Sequence, residues 1–496
     1  MLFGQITSTF VPPEIDWTVA AMPGFLMVWA MLVLVVDLFT SDRRVLASLS
    51  IVGLAITAAL GALAWGETRT AFGGMIILDE FGTVVNWILL GATALTVLIA
   101  LDYLPRQNLL RGEFYPLLLF ALSGMLLLVQ ANDLVIVFLG VELLSIALYV
   151  LTGYAVPQFK SGEAAMKYLL LGAFAAGFLV YGIALVYGYT GETNLNAIAA
   201  DLSAKTASGV SITDPILLAG LGFVLIALGF KVSMVPFHAW TPDVYDGAPT
   251  PVTAFMSVTT KGAAFVAMIR VLTVAFPALR IEWQFIFAIL AAATMIYGNV
   301  VAVAQTNIKR MLAYSSIAHA GYMLLAVLPG SDLGTSSFIV YLLAYALTNI
   351  GAFAVLIALE NRGVAAFQLN DLRGLGRRHP LLAAAMSVFM FSLAGVPPTA
   401  GFVGKFAVFR ATWAAGLEWL ALVGVITSIV AAFFYLRVIV LMWMRDEETK
   451  AVASPVFATS PLVVGLIVAV VGIVLLGLIP TPLLDVARDT VLTAAQ

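Results

Sequence analysis

The sequence contains no cysteine, only three histidines and only 10% charged residues. Without thiolate sulfur there is no disulfide, no Cys-ligated zinc and no iron–sulfur cluster. His238 and His319 fall in different apolar segments with no paired-ligand spacing, which argues against haem, and His379 reads as a loop residue. No Gly-rich loop follows a strand, no Ser-His-Asp grouping is evident, and acidic residues do not cluster as hard-metal ligands. Redox chemistry therefore cannot originate here, and the chain is expected to hold no cofactor or metal. The 24 Lys plus Arg against 27 Asp plus Glu give a net charge of −3, which leaves no basic surface for nucleic acid. Soluble domains carry about 25% charged residues, so so few charges point to lipid as the surrounding medium.

What the sequence has is apolar length. Of its 496 residues 62% are hydrophobic, and the mean hydropathy is +1.06. A membrane helix takes ~20 apolar residues. Hydropathy predicts fourteen spans, at 17–39, 45–65, 81–101, 114–130, 134–153, 164–189, 215–240, 250–276, 281–304, 308–328, 335–360, 381–413, 418–444 and 459–479. Period-two alternation is absent and the runs are too long for barrel strands, so the fold class is all-α and polytopic. The first span follows no Lys or Arg and exceeds a signal-peptide core, so it is expected to be retained.

Alternating the loops puts Arg43, Arg44, Arg106, Arg111, Lys160, Lys309, Arg310, Arg362, Arg373, Arg377, Arg378, Arg445 and Lys450 on one side. Only Arg69, Lys205, Arg280 and Arg488 fall on the other. The positive-inside rule makes the first side cytoplasmic and places both termini outside.

Seven further cations, Lys167, Lys231, Lys261, Arg270, Lys405, Arg410 and Arg437, lie within spans, as does Glu142. Snorkelling or a structural ion pair accounts for Arg270, Arg410, Arg437 and Lys167, which sit nearer helix ends. Mid-helix charges cost ~3 kcal/mol each on insertion scales, so Glu142, Lys231, Lys261 and Lys405 together oppose insertion by roughly 10–14 kcal/mol. One carboxylate cannot pair three ammonium groups, which points to a buried relay. Lysine suits one, because burial and a nearby carboxylate push its proton affinity in opposite directions.

In GFKVSMVPFHAW, Pro236 cannot donate to the carbonyl of Val232, so the helix should break beside Lys231. In FSLAGVPPTAGFVGKF, Pro397 and Pro398 likewise free the carbonyls of Leu393 and Ala394, shortly before Lys405. The broken spans are the seventh and twelfth, five apart, so corresponding helices cross in opposite directions. The expected organisation is a three-helix segment at 1–112, two inverted five-helix repeats at 113–280 and 281–446, and a C-terminal helix at 447–496. Thr253, Ser257 and Lys261 share a helix face, a hydroxyl stripe that either holds water or bonds backbone. Ser315, His319 and Tyr322 line another face, where His319 would bridge the two lysine units.

The segments GFKVSMVPFHAWTPDVYDGAPTPV (229–252), NIKRMLAYSSIAHAGYML (307–324) and GVPPTAGFVGKF (395–406) resemble the antiporter-like membrane subunits of respiratory complex I. Lys405 where one sister type has Glu, and an ending soon after the fourteenth span, narrow the resemblance to the N-type subunits of bacterial complexes, with a plastid homologue as the alternative. It implies that Glu142 and Lys231 form a modulating pair and that Lys261 and His319 carry protons laterally. Lys405 would serve the opposite half-channel, and Lys167 also belongs to the functional set. NADH, FMN, iron–sulfur clusters and quinone would belong to partner subunits. Expected partners are neighbouring antiporter-like and small membrane subunits and the lipid of a bacterial inner membrane. Two rival functions stay open: a subunit of a multisubunit sodium/proton antiporter, and a structural membrane spacer.

Overall fold

The computed structural model describes residues 15–40, 42–109, 111–156, 158–360, 367–446 and 460–490. Arg362 and Lys450 of the cytoplasmic set lie outside the described residues.

The chain opens with α1 (Ala21–Asp37) and α2 (Arg43–Leu63), a short hairpin β1 (Arg69–Ala71) and β2 (Ile76–Leu78), then α3 (Glu80–Ala100) and the single turn α4 (Tyr103–Arg106). Next come α5 (Phe114–Val129), α6 (Leu134–Thr152), α7 (Phe159–Thr190) and the short α8 (Leu195–Ala207). A broken pair follows, α9 (Pro215–Val232) and α10 (Trp240–Gly247), and then α11 (Thr250–Arg270). The second half repeats this order with α12 (Arg280–Ala304), α13 (Ile308–Val327), α14 (Asp332–Leu359) and a turn α15 (Leu375–Arg378). Its broken pair is α16 (Pro380–Ala394) and α17 (Ala400–Ala414), followed by α18 (Glu418–Met444), α19 (Ser460–Leu478) and α20 (Thr481–Asp489).

A helix occupies each of the fourteen predicted ranges. By length and composition, ten of the described helices suffice to cross a bilayer, while α1, α5 and α16 are apolar but shorter. The hairpin is a feature the sequence reading missed. Its three-residue strands pair antiparallel, Arg69 opposite Leu78, around a turn in which Phe72, Gly73 and Gly74 all have positive φ. Strands this short show no alternation.

Every residue of α11 is buried, and α3 and α14 flank it, so the core is a stack of helices rather than one amphipathic layer. The outer helices do the reverse. Phe174 on α7, Phe285 on α12, Ile429 on α18 and Val468 on α19 face outward. An apolar outer surface on this scale belongs in lipid, and the chain is a multi-span membrane protein.

Loops assigned to one side by charge meet one another. At one end, Lys160 pairs with Asp246 at 3.3 Å, and Lys309 donates to the carbonyls of Asp246 and Ala248. At the other, the Gly74 carbonyl accepts from Asn132 and Asn194, and Arg280 donates to the Pro329 carbonyl.

The two halves also share hydrogen bonds at matching positions. Leu134 N–H donates to the Thr193 carbonyl at 2.9 Å and Leu195 N–H to that of Asn132 at 3.0 Å. In the second half, Ile308 donates to Phe367 at 2.7 Å and Leu369 to Thr306 at 2.8 Å. The breaks match as well. α9 ends on Ser233 and α16 on Gly395, both left-handed, with Met234 N–H on the Gly229 carbonyl and Val396 N–H on that of Phe391. Gly395 is required twice over, since φ is +83° and a Cβ there would stand 2.8 Å from Lys405 Cδ.

Candidate functional site: a buried polar row between two broken helices

The second break behaves as its prolines dictate. With no N–H at Pro398 to claim it, the Ala394 carbonyl accepts from Lys405 Nζ at 3.0 Å. The ammonium also lies 4.8 Å from the centroid of the Tyr322 ring, whose negative face favours a cation. Tyr322 is tied down in turn, donating to Thr427 and accepting from Asn299, each at 3.1 Å.

His319 stands one turn before Tyr322 on α13. Its Nδ1 is 2.6 Å from the Tyr341 hydroxyl and its Nε2 3.2 Å from that of Tyr435, which itself meets Ser315 at 2.5 Å. Both ring nitrogens therefore have a partner able to donate or accept. The ring packs against Tyr345, centroids 5.0 Å apart. Between His319 and the second break is a cavity of about 10 Å³, room for roughly one water, lined by His319, Tyr341, Tyr345, Thr348, Ser392 and Gly401. A Cβ at Gly401 would sit 1.8 Å from the Ser392 carbonyl oxygen, so only glycine lets α17 start this close to α16.

Lys261, 1% exposed, donates to the carbonyl and the hydroxyl of Ser316 at 2.7 and 2.6 Å. The same hydroxyl accepts from Tyr345 at 2.8 Å. Among the described residues no carboxylate stands within ion-pair distance of Lys261 or Lys405. On the hydroxyl stripe of α11, Thr253 donates to the Tyr245 carbonyl and Ser257 to that of Ala254.

At the first break the arrangement differs from the expected pair. Lys231 donates to Ser145 Oγ at 2.6 Å, inside a cage whose Tyr168, Phe230 and Tyr149 centroids lie 5.3, 5.7 and 5.8 Å away. Glu142 is not in ion-pair contact with it. The carboxylate instead lines an outer groove with Phe138, Ala176, Gly177, Val180, Tyr181 and Ala184. Lys167 stands apart from the row too: it is 41% exposed and pairs with Glu163 at 2.8 Å and Asp243 at 2.7 Å. His238 packs on Tyr297 beside the break, centroids 4.5 Å apart.

The remaining in-span arginines lie outside this row. Arg437 binds the carbonyls of Val303 and Gln305 that end α12, and Arg410 is exposed. Arg270, 1% exposed, pairs with the fully buried Asp79 at 2.7 Å and donates to the Val129 carbonyl.

The sequence profile described as NADH:quinone oxidoreductase/Mrp antiporter, TM, matches residues 131–431. NADH-quinone oxidoreductase subunit N 1 of Herpetosiphon aurantiacus is 70% identical over 98% of this chain and 99% of its own length. The chain belongs to the subunit N family. Subunit N of Chloroflexus aggregans is 51% identical over 95% of this chain and 96% of its own. A chain of respiratory complex I from Thermus thermophilus superposes with TM-score 0.80 at 36% identity, covering 94% of this chain and 99% of that one. A chain of the Mrp complex from Dietzia, at 22% identity with TM-score 0.82, over 95% of this chain and 96% of that one, shares the fold.

In this subunit N chain the groups around Lys231, Lys261 and His319 that sequence reasoning passed over are neutral. Ser145 and Ser316 hold Lys231 and Lys261, and Tyr341, Tyr345 and Tyr435 surround His319, yet they reach them from helices distant in sequence, and hydroxyls are too common in spans to stand out. Among the described residues no group of three or more His, Asp or Glu is placed to hold a metal ion.

Proposed function

We propose that this chain is a proton-translocating membrane subunit of a bacterial NADH-quinone oxidoreductase, lying in the inner membrane beside other antiporter-like and small membrane subunits. On this reading ten of fourteen crossings form two inverted five-helix repeats, with three crossings before them and one after, and the matched hydrogen bonds and breaks of the two halves support that division. NADH, FMN, iron–sulfur clusters and quinone act in partner subunits.

The observation that carries the reading is Lys261, a buried ammonium that among the described residues hydrogen-bonds only to Ser316. A buried charge kept for packing is ordinarily matched by an opposite one. Neutral partners suit a group that gives up its proton. From Lys261 the route runs past Ser316 and Tyr345 to His319, then through the small cavity to Lys405 at the second break. Lys231 feeds it from the first break.

Glu142 acts on Lys231 through space rather than through a bond. Unit charges ~7 Å apart at an effective dielectric near 20 interact by about 2–3 kcal/mol, enough to change proton occupancy on the order of 50-fold. Because Glu142 faces an outer groove, a charge in a neighbouring subunit can reach it and reset Lys231.

Lys231→Arg tests this, since arginine keeps the positive charge but does not release its proton. In inverted membrane vesicles the assembled variant complex is expected to lose this chain's share of NADH-driven proton uptake. Wild-type uptake per NADH would overturn the relay. Likeness in fold extends equally to the sodium/proton antiporter class; relatives at 51–70% identity favour the oxidoreductase, and co-purifying iron–sulfur subunits would confirm that choice.

A further inference from the structure

A second polar series runs along the seam between α11 and α14. Glu360 caps the C-terminus of α14 and is 7% exposed. Its Oε2 accepts from Thr250 Oγ1 at 2.6 Å and its Oε1 from the Tyr103 hydroxyl at 3.0 Å. Further in, Asn349 Nδ2 donates to Ser257 Oγ at 2.5 Å. Further still, Tyr345 and Lys261 meet on Ser316. The order is that of two antiparallel helices in register: 250, 257 and 261 on one against 360, 349 and 345 on the other. At 1.5 Å per residue the run from Thr250 to Lys261 spans ~16 Å. Thr253 lies between the first two rungs on the same face of α11.

Two features separate this seam from ordinary helix packing. Asn349 Oδ1 is buried with no hydrogen-bond partner, which leaves an acceptor open midway. And the inner end of the series is Lys261, the ammonium without a carboxylate. The outer end lies by Arg106, which donates to the Ile357 and Glu360 carbonyls, and by Lys309, buried against the Ala248 carbonyl. Both cations belong to the side that the charge tally makes cytoplasmic.

We infer that Glu360 collects protons at the cytoplasmic face and delivers them along the α11–α14 seam to Lys261, a route separate from the first break. This rests on the proton-relay reading above and names its uptake group. The carboxylate gains one proton from surface water and passes one to the Thr250 side, so it returns to its ionised state in each cycle with no net change. Tyr103 and Thr250 position it by donating to both oxygens.

The test measures protons moved per NADH oxidised by the whole complex in sealed vesicles, with Glu360→Gln, Glu360→Asp and Lys261→Met compared at several cytoplasmic-side pH values. Glutamine keeps the shape and one acceptor oxygen but does not ionise, so it cannot take up and release a proton. The expected result is that Glu360→Gln lowers the ratio as far as Lys261→Met does, flattens its dependence on cytoplasmic pH, and is rescued by Glu360→Asp. A normal ratio in Glu360→Gln with a lowered one in Lys261→Met would overturn the uptake role and leave the relay standing. Normal ratios in both would overturn the relay itself. Reduced assembly with a normal ratio in the surviving complex would make Glu360 a structural anchor and also overturn the proposal.

Discussion

Replacing Lys261 by methionine is expected to leave the complex assembled and NADH oxidation possible, while proton transfer through this chain slows on the order of 100-fold. Methionine matches the lysine stem in length and removes a buried charge, so packing loses little. What it removes is the ammonium that bonds the Ser316 carbonyl and hydroxyl. Methionine has no proton to pass on, and a positioned proton-transfer group contributes on the order of 100-fold or more in rate, which gives the slowing. Tyr345 would still donate to Ser316, so the local structure has a reason to stay in place. The check is a pair of measurements on one preparation: the amount of intact complex, and the protons moved per NADH. Loss of intact complex in step with activity would instead make Lys261 a packing residue.

Asp79→Leu should act on stability rather than on transport. Asp79 and Arg270 are 0% and 1% exposed and join α3 to the end of α11. Removing one partner of such a pair costs about 3–5 kcal/mol, because the other charge is left buried and uncompensated. The same carboxylate accepts from Gly82 N–H as the N-cap of α3, which adds about 1 kcal/mol to the loss. A large drop in assembled complex and in its thermal midpoint in detergent is expected. Adding Arg270→Met to Asp79→Leu should recover most of it, since an apolar pair of similar volume replaces the buried ions. If the double variant is no better than the single, the pair is not what holds this junction.

The residues differ in how legible they were. Lys405 could be placed from sequence because a local rule governs it: prolines cannot donate, so nearby carbonyls are freed, and Ala394 is one of them. The Lys231 environment shows where such reasoning stops. A carboxylate and an ammonium in neighbouring spans suggest a pair, but Ser145 stands about 60° round and ~4.5 Å along α6 from Glu142, and it is Ser145 rather than Glu142 that meets Lys231. Helix rotation is set by side-chain packing on both faces, which hydropathy does not encode. Arg270 was read as a snorkelling or paired cation, and its partner lies 191 positions away. Lys167, placed with the functional set by resemblance, is held at the surface by Glu163 and Asp243. The Glu360 seam escaped notice for a similar reason: its members are ordinary polar residues at ordinary spacings until α11 and α14 are brought together.

Whether Lys231 and Lys405 lie on one route is decided by a double-substitution cycle. Protons moved per NADH would be measured for Lys231→Met, Lys405→Met and the combination, each in assembled complex reconstituted into sealed vesicles. If the row is continuous, either single change stops the flow and the double variant pumps no worse than each alone. Losses that instead accumulate in the double variant would mean that the two lysines serve independent paths, and the buried row described here would not be the conductor.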